Sequence, residues 1–518
     1  MAAASSARTA RPIDPVTQQI SPRLSEPLAP EILDLVFRPR IERELGSGID
    51  DLCAVNEAHL IMLERMGLVS ARDALKLAEA LTAIRGEGLS AIPRDPSRED
   101  GYFNFEAALI ARAGAEAGGR LHIARSRNDI NATLDRLAMR SMMAEMIAAV
   151  IDWRRILNER ALSFADMVMP GYTHLQLAQP ITFGFYLAGI ATALARDTER
   201  LFRAYEAANS CPLGACALAG TSFATDRDLV ADLLGFDSAR LHTQDAVASR
   251  DYAWDAALAM LSLASTWGRF AQDLYVWATP EFGLVSFPDS IAGISSIMPQ
   301  KKNPIAVEFL KSASGEVLGG LTATFTIFKG GHFSHAGDTS RGALAPLWPA
   351  LRLSLNALKI AALVADRIKP RPAIMAKRAA EGFSTATDLA DELVRQCGLS
   401  FRQAHHVVAD LVRDAVARNL GAMDMRESDL CQAFERVMGR PLPVAAADLL
   451  SVLDPAKAVR RRQSAGSASP AETRKLCATL EEEIDRDADD LRARASALTA
   501  ARQRLESQIC ALMKTKKS

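Results

Sequence analysis

Apolar residues along most of this chain recur at steps of three and four residues, the spacing that places side chains on one face of an α-helix. The pattern predicts long helices over 136–167, 187–205, 252–278, 304–328 and 350–368. Almost no segment alternates between apolar and polar residues as a half-buried strand does. Proline and glycine residues separate the periodic segments. The sequence therefore predicts an all-α fold built around a long bundle of antiparallel helices.

Breaks in this pattern predict the domain organisation. Pro370 and Pro372 interrupt the helical period, and the residue before a proline disfavours helix, so we place a boundary there. The basic, acid-free start of the chain loosely resembles a transit peptide, but a disordered tail is the favoured interpretation. The charged stretch 472–504 is expected to be a solvated helix or disordered. The predicted units are a flexible tail over 1–30, an N-terminal helical domain over 31–122, a central helical bundle over 123–370, a C-terminal helical domain over 371–463, and a linker with a charged extension over 464–518.

Composition and charge exclude several classes of protein. The 518 residues include 61 basic and 62 acidic side chains, for a net charge of −1, which gives no signal for nucleic acid or an anionic membrane. The apolar stretches 184–195 and 256–264 end at charged residues before reaching the roughly 18 residues of a membrane span. The seven cysteines are scattered, with no pair at a metal-ligand spacing. We therefore expect a cytoplasmic protein without a transmembrane helix.

Four segments depart from the helical pattern, because polar residues and glycines cluster where the helices are predicted to join. The segments are Arg-Ser-Arg-Asn-Asp over 125–129, Gly-Tyr-Thr-His-Leu-Gln-Leu-Ala-Gln-Pro over 171–180, 212–221, and Gly-Ile-Ser-Ser-Ile-Met-Pro-Gln-Lys-Lys-Asn-Pro over 293–304.

These segments contain the groups that a carboxylate-bearing substrate requires. Guanidinium and ammonium groups pair with anionic oxygens, and hydroxyl and amide groups fix orientation by hydrogen bonds. His174 is a candidate acid or base near neutral pH. The pair Ser295-Ser296 precedes a helix predicted to start near Pro304, where backbone N–H groups stabilise negative charge. The candidate binding residues are Arg127, Lys301, Asn128, Asn303, Thr173 and Ser126.

Each segment alone has an ordinary structural interpretation. Residues 125–129 are most often a solvated helix start with Asn128 or Asp129 as its cap. A lone histidine such as His174 is more often a turn or core residue than a catalyst, a serine pair near glycine is usually loop chemistry, and adjacent lysines are usually solvated charge. The joint occurrence of the four segments, in this order and at these separations, favours function.

Together the segments resemble the signature regions of the aspartase/fumarase superfamily, and their residues are most similar to those of argininosuccinate lyases. The last segment is the most specific, since glycine and serines followed by Met-Pro, a lysine and an asparagine resemble the serine-loop signature of the superfamily. The resemblance implies an all-α, three-domain subunit with a long central bundle. It also implies a homotetramer in which three subunits contribute to each active site. Further matches are 218–221, 282–283, 387–390 and 401–405, and the resemblance covers about 45–440.

The resemblance also implies a role for each matching residue. Ser295 would remove a proton from the carbon beside a substrate carboxylate, and Lys301 and Asn303 would stabilise the doubly charged aci-carboxylate that forms. His174 would hydrogen-bond to Glu308 and assist protonation of the leaving amine. The residues assigned to substrate binding are Ser126, Arg127, Asn128, Thr173, Ser296, Met298, Lys301, Asn303 and Arg341.

The chain departs from argininosuccinate lyases at two places. It has Glu-Asp-Gly-Tyr over 99–102 where those enzymes carry Glu-Asp-x-His, and His-Ala-Gly-Asp-Thr-Ser-Arg over 335–341 where they carry a stretch near the amine product. The residues that handle the succinyl half are intact, and those that handle arginine are not. If Arg341 points into the site, it would pair with a carboxylate and repel a guanidinium. The alternative is that Arg341 points to solvent.

The resemblance therefore implies a carbon-nitrogen lyase that eliminates an amine from an N-substituted aspartate and releases fumarate. The sequence has no metal-ligand cluster and no phosphate-binding glycine loop, so we expect no metal or nucleotide cofactor. The favoured substrate is not argininosuccinate but a compound such as ethylenediamine-disuccinate, the substrate of another branch of the family. Argininosuccinate lyase activity and a non-catalytic, crystallin-like structural role are the alternatives.

Overall fold

The computed structural model describes residues 26–46 and 48–514, and these residues are mainly α-helical. The predicted tail over 1–30 therefore lies largely outside the described residues. The helices are α1 Pro30–Ile32, α2 Arg38–Gly46, α3 Asp50–Arg65, α4 Ala71–Glu87, α5 Gly101–Ala113, α6 Ala115–Arg120, α7 Arg127–Ser163, α8 Phe183–Ala208, α9 Arg227–Leu233, α10 Thr243–Ala248, α11 Asp251–Trp277, α12 Ile305–Phe328, α13 Leu347–Arg367, α14 Pro372–Ala379, α15 Ala386–Cys397, α16 Phe401–Ala417, α17 Glu427–Met438, α18 Ala446–Leu450, α19 Pro455–Arg460 and α20 Pro470–Lys514.

The five helices predicted from the apolar period form the centre of the molecule. Helices α7, α8, α11, α12 and α13 pack against one another around a continuous apolar core. Trp153 and Trp267 are fully buried within it, and large aromatic side chains of this kind contribute much of the apolar area removed from water. The all-α fold and the long central bundle are therefore confirmed.

Two further apolar clusters flank this bundle. One is formed mainly by α3, α4 and α5, with Leu60 and Phe105 at its centre. The other is formed by α15 to α18, with Leu393 and Phe434 fully buried. Met375 of α14 belongs to the central core, although α14 begins at Pro372, the second of the two prolines at which we placed a boundary. The proposed domain limits stay predictions.

Short strands lie where the sequence predicted only turns. The largest pair, β1 and β2, forms an antiparallel hairpin between α7 and α8, with Met169 opposite Ile181. Its polar and proline-containing strands do not alternate, so the sequence pattern gave no strand signal. The strands are β1 Val168–Thr173, β2 Gln176–Thr182, β3 Ser210–Cys211, β4 Ser238–Ala239, β5 Val285–Ser286, β6 Gly293–Ile294, β7 Lys302–Asn303 and β8 Lys369–Pro370.

The C-terminal extension is a single helix, α20, of 45 residues. The sequence predicted either a solvated helix or disorder here. The segment is helical, but it is not solvated on all sides, because one face is buried. Cys477, Leu480 and Ile484 lie in the core of the bundle, and Leu505 and Ile509 lie in the N-terminal cluster. Residues 468–470 of the predicted linker over 464–471 are buried as well. Helix α20 therefore packs against both the central bundle and the N-terminal cluster.

One described segment, Asp338–Arg367, is long and apolar enough to cross a membrane, with a mean hydropathy of 1.3 and 44% of its most apolar window buried. This finding differs from our expectation that no segment would qualify. Leu351 and Leu358 of this segment are fully buried in the bundle. A core helix passes the same test of length and composition as a membrane span.

Candidate active site

His174 lies at the tip of the β1–β2 hairpin. Thr173 and Gln176 are paired across a two-residue turn, and the turn residues His174 and Leu175 have φ values of 55° and 56°. Positive φ at both positions is typical of a type I′ turn, where glycine or asparagine is usual. Side chains larger than these cost roughly 1–3 kcal/mol in such sparsely populated conformations, and such strain clusters at functional sites. The hairpin therefore presents an exposed imidazole on a strained turn.

The serine loop is a second, smaller hairpin. Strands β6 and β7 pair Gly293 with Asn303, which closes the loop between them. The Ser295 hydroxyl accepts the backbone N–H of Met298 at 3.0 Å and that of Ile297 at 3.3 Å. Two N–H donors stabilise a negative oxygen better than a neutral one. The loop therefore holds Ser295 in an environment that favours its ionisation.

The other residues assigned to this loop remain open to solvent. Ser296, Met298 and Lys301 are exposed, and Asn303 is half-buried beside the carbonyl of Ile294. The neighbouring Lys302 forms an ion pair with Asp289. Helix α12 begins at Ile305, as predicted, and places Glu308 in its first turn.

The start of α7 combines a helix cap with residues that the sequence predicted to bind the substrate. Ser126 is the N-cap and forms a reciprocal capping box with Asp129, so the predicted alternative with Asn128 or Asp129 as the cap is wrong in its choice of residue. Burial raises the pKa of Asp129 to about 6, although the N–H groups of Ser126, Gly214 and Cys216 lower it. The Asn128 amide donates to the carbonyl of Ala217 at 3.1 Å.

Arg127, one residue past the cap, enters a cluster of ion pairs. Its guanidinium donates to Glu99 at 2.9 Å and to Asp100 at 3.0 Å, and it lies 3.9 Å above the centre of the Phe103 ring. Asp100 is fully buried and caps α5 by accepting the N–H of Phe103. The unusual 99–102 segment is therefore in direct contact with a residue predicted to bind the substrate.

Arg341 belongs to the same cluster. It pairs with Glu44 and lies 3.5 Å from Asp100, and Arg40 pairs with the same two carboxylates at 3.0 and 3.6 Å. Its side chain is 17% exposed, so the alternative in which Arg341 points to solvent is wrong. Both departures from the family pattern thus meet beside Arg127. We call these six residues the arginine cluster: Arg40, Glu44, Glu99, Asp100, Arg127 and Arg341.

His335 lies near the arginine cluster, and its surroundings disfavour the protonated, charged form of its imidazole. Burial is the larger cause, and together with the nearby guanidiniums of Arg250, Arg40 and Arg127 it lowers the pKa of His335 to about 4. Its Nδ1 atom is buried without a hydrogen-bond partner. Near neutral pH His335 is therefore an uncharged imidazole that can donate or accept one further hydrogen bond.

The predicted site residues form three separate groups in one chain. The groups are the start of α7, the tip of the β1–β2 hairpin, and the serine loop with Glu308. Among residues 26–46 and 48–514, no hydrogen bond or ion pair joins one group to another, and none links His174 to Glu308. Arg40, Glu44 and Arg250 were not foreseen, because only the i, i+4 spacing of Arg40 and Glu44 on α2 marks them in the sequence.

The part of the chain that the structure describes contains no group of three or more metal-ligating side chains arranged to hold an ion. All seven cysteines are free thiols.

The chain thus has a central bundle of five long helices with polar loops at the helix ends. A lyase family model matches residues 66–319, and an argininosuccinate lyase C-terminal model matches 383–460. Argininosuccinate lyase 1 from Shouchella clausii (strain KSM-K16) is 37% identical over 481 residues, which are 93% of this chain and 97% of that protein.

Solved structures agree with this class. The crystal structure of EDDS lyase in complex with formate has a TM-score of 0.85 at 30% identity and covers 95% of this chain and 98% of its own. The fumarate lyase from Mesorhizobium sp. BNC1 has a TM-score of 0.64 at 20% identity, covers 86% and 96%, and shares the fold. This chain belongs to the argininosuccinate lyase family of the aspartase/fumarase superfamily. It is accordingly a lyase.

The depressed pKa of His335 predicts how stability depends on pH. The folded-state pKa of about 4 lies below the ordinary value of 6.5, so the unfolded chain binds the proton more tightly. This contribution to stability is fully present above pH 6.5 and is lost as the pH falls through 4. We expect His335→Asn to lose less stability than the wild type over this range.

Thermal unfolding midpoints measured between pH 4 and 8 check this expectation. His332→Asn, a change at an exposed position of the same loop, is the control and should follow the wild type. Parallel curves for His335→Asn and the wild type would contradict the proposed environment.

Proposed function

We propose that this protein eliminates an amine from an N-substituted aspartate by cleaving the C–N bond, and that it releases fumarate. The observation that carries the proposal is the serine loop, in which Ser295 accepts two backbone N–H groups while Lys301 and Asn303 follow in the same hairpin. A serine with a stabilised oxyanion is a competent base, and a nearby cation stabilises charge that develops on a carboxylate.

The reaction needs both features because of the position of the proton. It is removed from a carbon beside a carboxylate, so the carboxylate becomes a doubly charged aci-form as the proton leaves. Lys301 and Asn303 stabilise this form, and expulsion of the amine then completes the double bond of fumarate. His174 and Glu308 assist protonation of the departing nitrogen. Ser126, Arg127, Asn128 and Thr173 hold the succinyl carboxylates, while Ser296 and Met298 contact the substrate from the loop.

The proposed base is tested by Ser295→Ala. We expect turnover to fall at least about a hundredfold, the scale of a lost positioned proton acceptor, with folding and substrate binding retained. Fumarate release is followed by ultraviolet absorbance. Ser312→Ala, which removes an exposed hydroxyl of α12 that donates to the carbonyl of Phe309, is the control. Near-normal turnover of Ser295→Ala would rule out this base, and any fumarate release by the wild type excludes a purely crystallin-like role.

Shared active sites follow from the separation of the three groups. General acid-base catalysis requires groups within hydrogen-bond reach of the substrate, and no hydrogen bond or ion pair among the described residues joins His174, Ser295 and Arg127. We therefore propose a homotetramer in which each site takes one group from each of three subunits.

Mixing two inactive variants tests this arrangement. His174→Asn and Ser295→Ala, unfolded together and refolded, should regenerate some sites in which neither change is present, so part of the activity should return. Each variant refolded alone is the control. A mixture as inactive as its parents would contradict shared sites.

The arginine cluster supports a substrate whose second half carries a carboxylate. Arg40 and Arg341 lie within 3.6 Å of the carboxylate that also binds Arg127, and the Arg341 Nε atom is buried without a hydrogen-bond partner. Because Glu44, Glu99 and Asp100 already pair with the three arginines of the cluster, the unused Arg341 Nε–H is the feature that discriminates: a substrate carboxylate can accept from it, whereas a substrate guanidinium cannot. We favour a disuccinylated diamine such as ethylenediamine-disuccinate, in line with the structural similarity to EDDS lyase.

Argininosuccinate is the second candidate substrate. It is favoured by the names of the relatives that are 37% identical to this chain. Both substrates share the succinyl half, so the choice depends on the residues beside the amine.

Catalytic efficiency on the two substrates decides between them. We expect the wild type to prefer the disuccinylated diamine, and Arg341→Gln to reduce that preference because a carboxylate partner is lost. Arg40→Gln is the matched control, since it disturbs the same carboxylates, Glu44 and Asp100, without removing the unused donor. A wild type that strongly prefers argininosuccinate would refute the proposed specificity.

A further inference from the structure

A cavity of about 670 Å³ lies between the β1–β2 hairpin and the C-terminal helices. Tyr172 and Thr173 of β1 line one side, and Asp388 of α15 lines the opposite side. Arg462 and Ser467, from the segment that connects α19 to α20, complete it. Small-molecule sites have volumes of about 300–1,000 Å³, so this cavity has the size of one.

Polar atoms at this cavity lack partners. The Nε and Nη2 atoms of Arg462, the Oδ2 atom of Asp388 and the Oγ atom of Ser467 are all buried without a hydrogen bond. Arg462 Nη2 lies 3.7 Å from Asp388 Oδ2, which is too far for a hydrogen bond. Buried polar groups are nearly always satisfied by protein, water or ligand, so three side chains here have unused capacity.

The unused atoms define complementary chemistry. Nε and Nη2 form one edge of the guanidinium, and this edge binds a carboxylate through two parallel hydrogen bonds. The ionised Asp388 side chain only accepts hydrogen bonds, so it suits an ammonium group. Burial raises the pKa of Asp388, and Arg462 opposes this shift. A bound ammonium group would also favour the ionised carboxylate.

The remaining lining is balanced in charge. It supplies two more acidic residues and two more arginines, and Glu392 already pairs with both of these arginines. The lining therefore has no excess of either charge and favours neither a simple anion nor a simple cation. These four residues are Asp391, Glu392, Arg395 and Arg461.

We propose that this cavity binds a small aminocarboxylate zwitterion, whose carboxylate pairs with the Nε–Nη2 edge of Arg462 and whose ammonium group donates to Asp388. Ser467 supplies a further hydroxyl donor or acceptor. The segment over 464–471, predicted to be a flexible linker, would then serve as one wall of a binding site. Thr173 borders the cavity and is also proposed to hold the substrate, so the test must separate the two locations.

Calorimetric titration of the full-length enzyme tests the proposal with three matched probes. L-alanine carries both charges, propionate lacks the ammonium group, and ethylamine lacks the carboxylate. We expect L-alanine to bind at least about tenfold more tightly than either fragment, because both charge-assisted contacts are then made. Saturating fumarate should leave the affinity for L-alanine unchanged.

Variants of Arg462 and Asp388 test whether L-alanine binds in this cavity. Arg462→Leu and Asp388→Asn should each weaken L-alanine binding at least about tenfold. Arg462→Lys keeps the charge but loses the two-pronged geometry, so it should also bind weakly even if the leucine variant folds poorly. Arg460→Leu, at an exposed position two residues away, is the control and should bind as the wild type does.

Three outcomes would overturn the proposal. The first is no L-alanine binding by the wild type, which means that water alone fills the cavity. The second is equal affinity in the wild type and both Arg462 variants. The third is displacement of L-alanine by fumarate, which would place the ligand in the reaction site. None of these outcomes bears on Ser295 as the base, so the proposed reaction is tested separately.

Discussion

The candidate site depends most on the ion pairs of the Asp100 carboxylate. Its fully buried carboxylate lies within 3.6 Å of three guanidiniums, those of Arg40, Arg127 and Arg341, and also caps α5. Burial raises its pKa, and Arg127 and Arg40 oppose that shift. A buried carboxylate is tolerated only with such partners, and removing one partner leaves charge uncompensated. The N-terminal helices must therefore dock on the bundle in one way, and this docking fixes Arg127 at the start of α7.

The long helices were predictable because the helical period is a local property of the sequence. Five segments with apolar residues at steps of three and four became α7, α8, α11, α12 and α13, with ends within a few residues except at the start of α7. The β1–β2 hairpin was missed for an equally local reason. Its strands carry Pro170, Gly171 and exposed polar residues in place of an alternating pattern, and a Cβ at Gly171 would lie 2.4 Å from the carbonyl oxygen of Gln179. The strand pairing depends on close backbone approach rather than on apolar alternation.

Contacts between residues far apart in the sequence limited how much of the candidate site could be predicted. The motif segments identified Arg127, His174 and Ser295 as candidates, but no local pattern shows that Arg341 meets Glu44, 297 positions earlier. Sequence reasoning left open whether Arg341 faced substrate or solvent, and the structure instead gives it partners within the chain. The same limit applies to α20, whose charged composition suggested solvent on all sides. Its charges include Asp487, which pairs with the buried Arg154 of α7, so part of the charge serves docking.

The backbone strain and the exposure of His174 support the proposal that the active site is completed only when subunits assemble. Arg127 is immobilised by two carboxylates and an aromatic ring within one chain. His174 lies on a turn with two positive φ values at residues other than glycine, and among the described residues its imidazole forms no hydrogen bond, ion pair or ring contact that would stabilise this conformation. Local strain persists only where the surroundings over-determine it. The proposed shared site supplies such surroundings, because the substrate and a neighbouring subunit's serine loop would then hold the imidazole. Under the proposed function, the chain by itself would hold Arg127 ready for the succinyl half, and proton transfer would require the partner subunits.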